Sequence, residues 1–309
     1  MPRTAKKTKK ATTSNQKKTA ENLPKVLVRS SKLPSVWKLT QTSLTLLWND
    51  RWLFLWIILT YGIVNLAIAQ GFSSGLNITS AKNQLSGLFH GHASELSSGV
   101  TIYALMLASL GGSSSGGGFG YSLIFTILAS LAIIWALRNG INKVKVSLRD
   151  AYYRGTYPLI PFLGIILVIA LELIPTVIGI TLYTTAVNNN IAVTGLEKLG
   201  FLVIMLALIL LSLYLLSGSI FALYIVTLPD MTPFKALRSA RDLVKKRRLA
   251  VLLRVLYLPV ALLVVSIVIT LPFIILASAI APWVFLILSL IMLAVLHSYL
   301  YSLYRELLV

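Results

Sequence analysis

The run LPDMTPFKALRSARDLVKKRRLAVLLR, residues 228–254, decides the fold. Upstream, no residue is charged between Lys198 and Asp230; downstream, none is charged between Arg254 and Arg305. A helix needs about 20 apolar residues to cross a bilayer core, so membrane spans are expected on both sides of this segment. It carries eight of the chain's 28 Lys and Arg, which marks it as a cytoplasmic loop by the positive-inside rule. Thr232 is placed to cap a helix whose first residue is Pro233, where proline is favoured. The spacing puts Phe234, Leu237, Ala240, Leu243 and Val244 on one face. Lys235, Arg238, Arg241, Lys245, Lys246, Arg247 and Arg248 surround it, the pattern of a helix in the membrane surface contacting anionic lipid.

Working outward, the chain of 309 residues is 57% hydrophobic with a formal net charge of +19. That composition reads as an all-α membrane protein rather than a soluble domain. The cations collect in a tail and in two loops between apolar runs. Anionic headgroups are therefore the nearest partner, and the charge does not point to nucleic acid. There is no cysteine, which excludes disulfides, thiolate nucleophiles and Cys-ligated metals.

Residues 1–34 are Lys-rich and poor in large apolar side chains, so they read as a disordered basic cytoplasmic tail. Residues 35–309 read as a six-helix transmembrane domain. Ser35 to Trp48 has the spacing of another surface helix, with Val36, Trp37, Thr40, Leu44 and Leu47 on one face. The first span is expected from Trp52 to about Ala69, followed by an external Gly/Ser-rich loop over 71–120. Within that loop Val100 to Leu110 is apolar but too short to cross, and GGSSSGGGFG at 111–120 is flexible by composition. The second span is expected from Tyr121 to Ala136, the third from about Pro158 to Tyr183 and the fourth from about Leu199 to Thr227. The fifth and sixth share residues 255–304, with a turn near 278–282. With both termini cytoplasmic, only Lys82 and Lys198 of the 28 cations fall outside. The expected location is thus a plasma (inner) membrane, with N- and C-termini inside.

Three times the chain reads basic surface helix, span, external loop, span. A shift of 197 positions pairs Leu46 with Leu243, Leu47 with Val244 and Arg51 with Arg248. Leu-Arg-x-Ala recurs at Leu148–Ala151 and Leu237–Ala240. The spans that follow carry spaced prolines, Pro161 and Pro175 against Pro259 and Pro272. These are three weak repeats, a common mode of growth in membrane folds.

LPDMTPFKALRSARDLVKKRR, through Leu228-Pro229-Asp230, Ala236, Ser239 and Lys245–Arg248, resembles the third-loop motif of a group of uncharacterised six-span bacterial membrane proteins. SVWKLTQTSLTLLWNDRWLFL, residues 35–55, resembles the same group's first entry. That group is similar to the membrane domain fused to some glycerophosphodiester phosphodiesterases. The catalytic barrel has no counterpart here, so the resemblance implies an architecture and no activity.

Glu172, three residues before Pro175, is the one acid inside an expected span. A charge there costs roughly 2.5–3.5 kcal/mol on insertion scales, so the carboxyl should be protonated or paired. One reading makes it a coupling group beside a proline-broken helix, in a small-solute or ion-coupled permease using the third and fifth spans. The other makes it a carboxyl bonded to a nearby hydroxyl or to backbone freed by Pro175. His297 is a further intramembrane candidate and could pair with Glu172 if the third and sixth spans touch. Tyr299, Tyr301 and Tyr304 read as interface anchors. Asn65 and Ser217-Gly218-Ser219 read as helix-packing positions. His90 and His92 supply only two metal ligands, and Asn77-Ile78-Thr79 has the glycosylation pattern. No Walker motif, zincin helix, nucleophile elbow or carboxylate pair appears, and no cofactor is implied. The reading is therefore a non-enzymatic multi-pass membrane protein that interacts with anionic lipid or a membrane-protein partner.

Overall fold

The computed structural model describes residues 34–70, 103, 118–142, 146–245, 247–277 and 279–308. The expected basic tail, His90, His92, Asn77 and nearly all of the 71–120 loop lie outside these residues. Among the described residues every regular element is helical. The order is α1 (Val36–Asn49), α2 (Arg51–Val64), α3 (Gly118–Ile141), α4 (Leu148–Gly155) and α5 (Leu159–Asn188). There follow α6 (Gly195–Ser219), α7 (Ala222–Ile225), α8 (Pro233–Val244), α9 (Arg248–Leu276) and α10 (Ala281–Leu308). A π-helical stretch, Asn65–Gln70, continues α2.

Five helices are long and apolar enough to cross a membrane, within Tyr121–Ile141, Leu159–Asn188, Gly195–Ile225, Arg248–Leu276 and Ala281–Leu308. The count reaches six if α1 and α2, bent by 85° at Asp50, form one further span. The helix ends follow capping chemistry. Thr232 Oγ1 accepts from the Lys235 N–H with Pro233 at the start of α8, as the sequence implied. Ser35 and Ser147 cap α1 and α4 in the same way. Thr194 and Glu197 form a reciprocal capping box at α6. Asp230 takes a left-handed backbone conformation in the turn between α7 and α8, a conformation Asp tolerates better than most residues.

Two expected boundaries move. The fourth span does not run unbroken to Thr227: α6 stops at Ser219, and α7 begins after a turn. The helix expected over 233–248 stops at Val244, with Lys245 at its C-cap, and Arg248 opens α9.

The core gathers around the C-terminal half of α10, where His297 to Tyr304 are all buried. Ser298 Oγ donates to the Ser43 carbonyl of α1 at 2.8 Å. On α9, Tyr299 Oη donates to the Arg254 carbonyl at 3.1 Å. Arg254 itself donates to the Pro34 carbonyl at 3.1 and 3.0 Å. α2 and α3 pair through Tyr61 Oη and Thr126 Oγ1 at 2.8 Å. α4 lies so close to α3 that a Cβ on Gly155 would meet the Leu131 carbonyl oxygen at 3.1 Å. Tyr152 of α4 donates to the Ile57 carbonyl of α2 at 3.0 Å. Burial, with Tyr61 adding to it, pushes this phenol up to about 12.

Candidate functional site

Glu172 sits about 20 Å of helix beyond Leu159 in α5, and it is only 8% exposed. Ser219 Oγ, at the last turn of α6, donates to Glu172 Oε1 at 2.6 Å. Arg241 Nη2 of α8 reaches the same oxygen at 3.6 Å, with 54% of the Arg241 side chain exposed. Glu172 Oε2 is buried and has no hydrogen-bond partner. One face of α6 serves both the carboxyl and the proline break. Two turns before Ser219, Ser212 Oγ accepts the Thr176 N–H at 3.1 Å, the amide directly after Pro175. A proline in a helix interior disturbs the backbone ladder around it, and Ser212 supplies an acceptor there. Ser217-Gly218-Ser219, expected as packing residues, therefore also provides the hydroxyl partner of the intramembrane acid.

The pairing of His297 with Glu172 is not formed. His297 Nδ1 instead lies 3.2 Å from Tyr224 Oη. Tyr224 is surrounded by rings, with Tyr301 and Tyr304 at 5.9 and 6.1 Å. Tyr299, Tyr301 and Tyr304 are buried in the bundle, not set outward as anchors. The reason is that Tyr224, on the short helix α7, packs against α10. Arg138, at the end of α3, holds the C-terminal end of α7. Its guanidinium donates to the Thr227 carbonyl at 2.7 Å, to the Tyr224 carbonyl at 3.3 Å and to Thr227 Oγ1. A cation at these carbonyls complements the negative end of a helix. The sequence ends the second span at Ala136, and nothing local to Arg138 foretells a partner 89 positions away.

α8 is seated in the bundle rather than lying free on a surface. Ala236, Leu237, Ala240 and Val244 are buried. A Cβ on Gly164 of α5 would lie 3.2 Å from Pro233 Cγ. Phe234, expected on the inner face, is 83% exposed. Lys235, Arg238 and Lys245 are exposed, as a cationic outer face requires. Lys246 lies outside the described residues. Arg241 departs from the expected role, because it turns to Glu172. Arg248 departs too: its Cζ stands 4.9 Å from the Tyr214 ring centroid on α6.

The other two short helices present aromatics beside cations in the same way. On α1, Leu39 and Ser43 point inward while Trp37, Leu44 and Trp48 are exposed. This moves the expected inner face by part of a turn. Arg51 lies over Trp48 at 5.3 Å. On and just after α4, Tyr153 and Tyr157 are exposed beside Arg149 and Arg154. Amphipathic aromatics and snorkelling cations are the side chains that suit a bilayer–water boundary. Among the described residues no group of three or more His, Cys, Asp or Glu could hold a metal ion.

These features define an all-helical integral membrane protein. Comparison with protein-family models, curated proteins and solved structures returns no match.

Proposed function

We propose that the chain is a non-enzymatic multi-pass membrane protein that engages anionic lipid through the cationic, aromatic-flanked faces of α1, α4 and α8. The observation that carries this reading is α8, whose small apolar face is buried while Lys235, Arg238 and Lys245 stay exposed beside Phe234. Each cation near an anionic surface contributes on the order of 1 kcal/mol. The three faces together outweigh any one contact.

Six spans with both ends cytoplasmic complete the proposal. The bonds from Arg254 to Pro34 and from Ser298 to Ser43 support it, since they bring Pro34 to α9 and α1 to the C-terminal half of α10. The order short helix, long helix, long helix in α4–α5–α6 and again in α8–α9–α10 supports the repeats with basic entry helices. The likeness to the six-span bacterial group remains part of the same proposal. Ser219 and Arg241 at Glu172 Oε1 support a structural carboxyl over a transport-coupling one.

The test uses full-length protein reconstituted with spin-labelled phosphatidylglycerol or phosphatidylcholine. More phosphatidylglycerol than phosphatidylcholine should be immobilised at low salt, with the excess shrinking as salt rises. Equal immobilisation of the two lipids at every salt concentration ends the reading. Cysteines placed at Ser31 and Ser97 should label from opposite sides; labelling from one side refutes the threading.

A further inference from the structure

Two arginine side chains pack against one face of α6. Tyr214 and Gly218 are one helical turn apart and share that face. The Arg248 guanidinium carbon lies 4.9 Å from the Tyr214 ring centroid. The Arg241 stem crosses Gly218, its Cγ 3.4 Å from where a Cβ would stand. Arg241 lies in the last turn of α8 and Arg248 opens α9, so the basic run that joins the two helices packs against α6.

Arg241 is positioned without being used up. Glu172 holds it from one side through a single oxygen at 3.6 Å, and Ser219 fixes that oxygen from the other direction at 2.6 Å. An arginine has five N–H donors, and one distant contact leaves most of them unfilled. The side chain is 54% exposed, so those donors are reachable. Two guanidinium groups beside one carboxyl leave the site cationic. A phosphodiester carries one negative charge and accepts the forked donors that arginine presents.

The surroundings select a lipid as the source of that phosphodiester. Leu210 and Leu211 on α6 and Leu249 and Leu253 on α9 are exposed large apolar side chains on the two helices that carry the contacts. Acyl chains can lie along such a surface, while a water-borne phosphate gains nothing from it.

We propose that Arg241 and Arg248, packed against α6 at positions one turn apart with Glu172 and Ser219 positioning Arg241, form a discrete site for the phosphodiester head group of one anionic phospholipid. The proposal rests on the anionic-lipid reading above and deepens it, from a diffuse cationic face to one stoichiometric site.

The test counts retained lipid on the full-length protein in mild detergent by native mass spectrometry, with dioleoylphosphatidylglycerol or dioleoylphosphatidylcholine added. The wild type is expected to hold one phosphatidylglycerol in preference to phosphatidylcholine. Arg248→Gln should weaken that binding about tenfold, a loss in the range of charge-assisted hydrogen bonds. Arg248 touches no carboxylate in the structure, so its variant should keep the wild-type melting temperature. Lys198→Gln removes one exposed charge from the opposite end of α6 and should hold the lipid as the wild type does. Unchanged binding in Arg248→Gln, or an equal loss in Lys198→Gln, overturns the discrete site while leaving the general preference standing. No preference for phosphatidylglycerol in the wild type overturns both. Inorganic phosphate without lipid should leave the melting temperature unmoved; stabilisation equal to that by phosphatidylglycerol refutes the lipid assignment.

Discussion

The α5–α6 hairpin and the C-terminal half of α10 are built on opposite principles. Along the hairpin Leu167, Leu171, Val177, Val203, Leu206 and Leu210 are exposed. Its two helices close on each other through small contacts: a Cβ on Gly179 would sit 3.2–3.3 Å from Leu208 and Met205. In α10 the buried residues include His297, Ser298, Tyr299, Tyr301, Ser302 and Tyr304. An apolar side chain loses nothing by facing lipid, whereas a hydroxyl or imidazole there lacks a partner. Between these two regions the more hydrophobic one therefore stays outside, and the polar and aromatic one joins the aliphatic residues of α3 in the interior.

The comparison can be broken most directly at Tyr224. Its ring lies among His297, Tyr301 and Tyr304, and Tyr224→Ala should cost about 3 kcal/mol or more. Leu206→Ala on the hairpin should cost about 0.5 kcal/mol or less. Denaturant titration in mixed micelles measures both, and similar losses would remove the distinction between the regions.

Glu172 tests a polar joint of the hairpin. Glu172→Leu leaves the Ser219 hydroxyl and Arg241 without their acceptor, at about 1–3 kcal/mol. The lower end applies, because Arg241 is half exposed and solvent screens it. Glu172→Gln keeps an acceptor for Ser219 and should lose less. If Gln proves the more damaging of the two, the carboxylate's charge matters more than its hydrogen bond.

Gly155 and Gly200 sharpen the contrast between a packed and an open helix face. A Cβ at Gly155 would stand 3.1 and 3.2 Å from backbone atoms of Leu131 and Ala132. Gly155→Ala should thus cost about 1–2 kcal/mol. Gly200 has no such neighbour within 4 Å, and Gly200→Ala should be neutral or stabilise by about 0.5–1 kcal/mol. Paired melting curves decide it; a harmless Gly155→Ala would contradict the close seating of α4 on α3.

Tyr152 tests the seat of α4 through a single hydrogen bond. Tyr152→Phe removes the donor to the Ile57 carbonyl and should cost about 1 kcal/mol. The folded-state phenol is raised to about 12 from an ordinary 10.0. Its contribution is therefore complete below pH 10 and is lost as pH rises through 12. Absorbance titration against the Phe variant should show one phenol fewer ionising at the high end; unchanged curves would place Tyr152 in water.

Spans, breaks and caps were legible because charge and proline announce them. Thr232-Pro233 opens α8, and the expected turn at 278–282 overlaps the break between Leu276 and Ala281. Inner faces were not legible, because hydropathy no longer separates inside from outside once lipid is the solvent. That is why Tyr299, Tyr301 and Tyr304 were expected outward, and why the seated face of α1 was offset. The Glu172 site was half legible. The lone acid stood out and a hydroxyl partner was foreseen, but Arg241 was assigned to lipid because its chain neighbours are basic. Pairing across 47 and 69 positions depends on how helices return, which spacing along one helix does not encode.

The bond from Arg254 to the Pro34 carbonyl, and that from Ser298 to the Ser43 carbonyl, also set an order of assembly. They span 220 and 255 positions, so the acceptors on α1 are made long before their donors leave the ribosome. Synthesis at about 5–20 residues per second keeps α1 waiting on the order of ten seconds or more for its seat. Among the described helices the first to be made is thus among the last to settle, and α9 and α10 close the structure by capturing it.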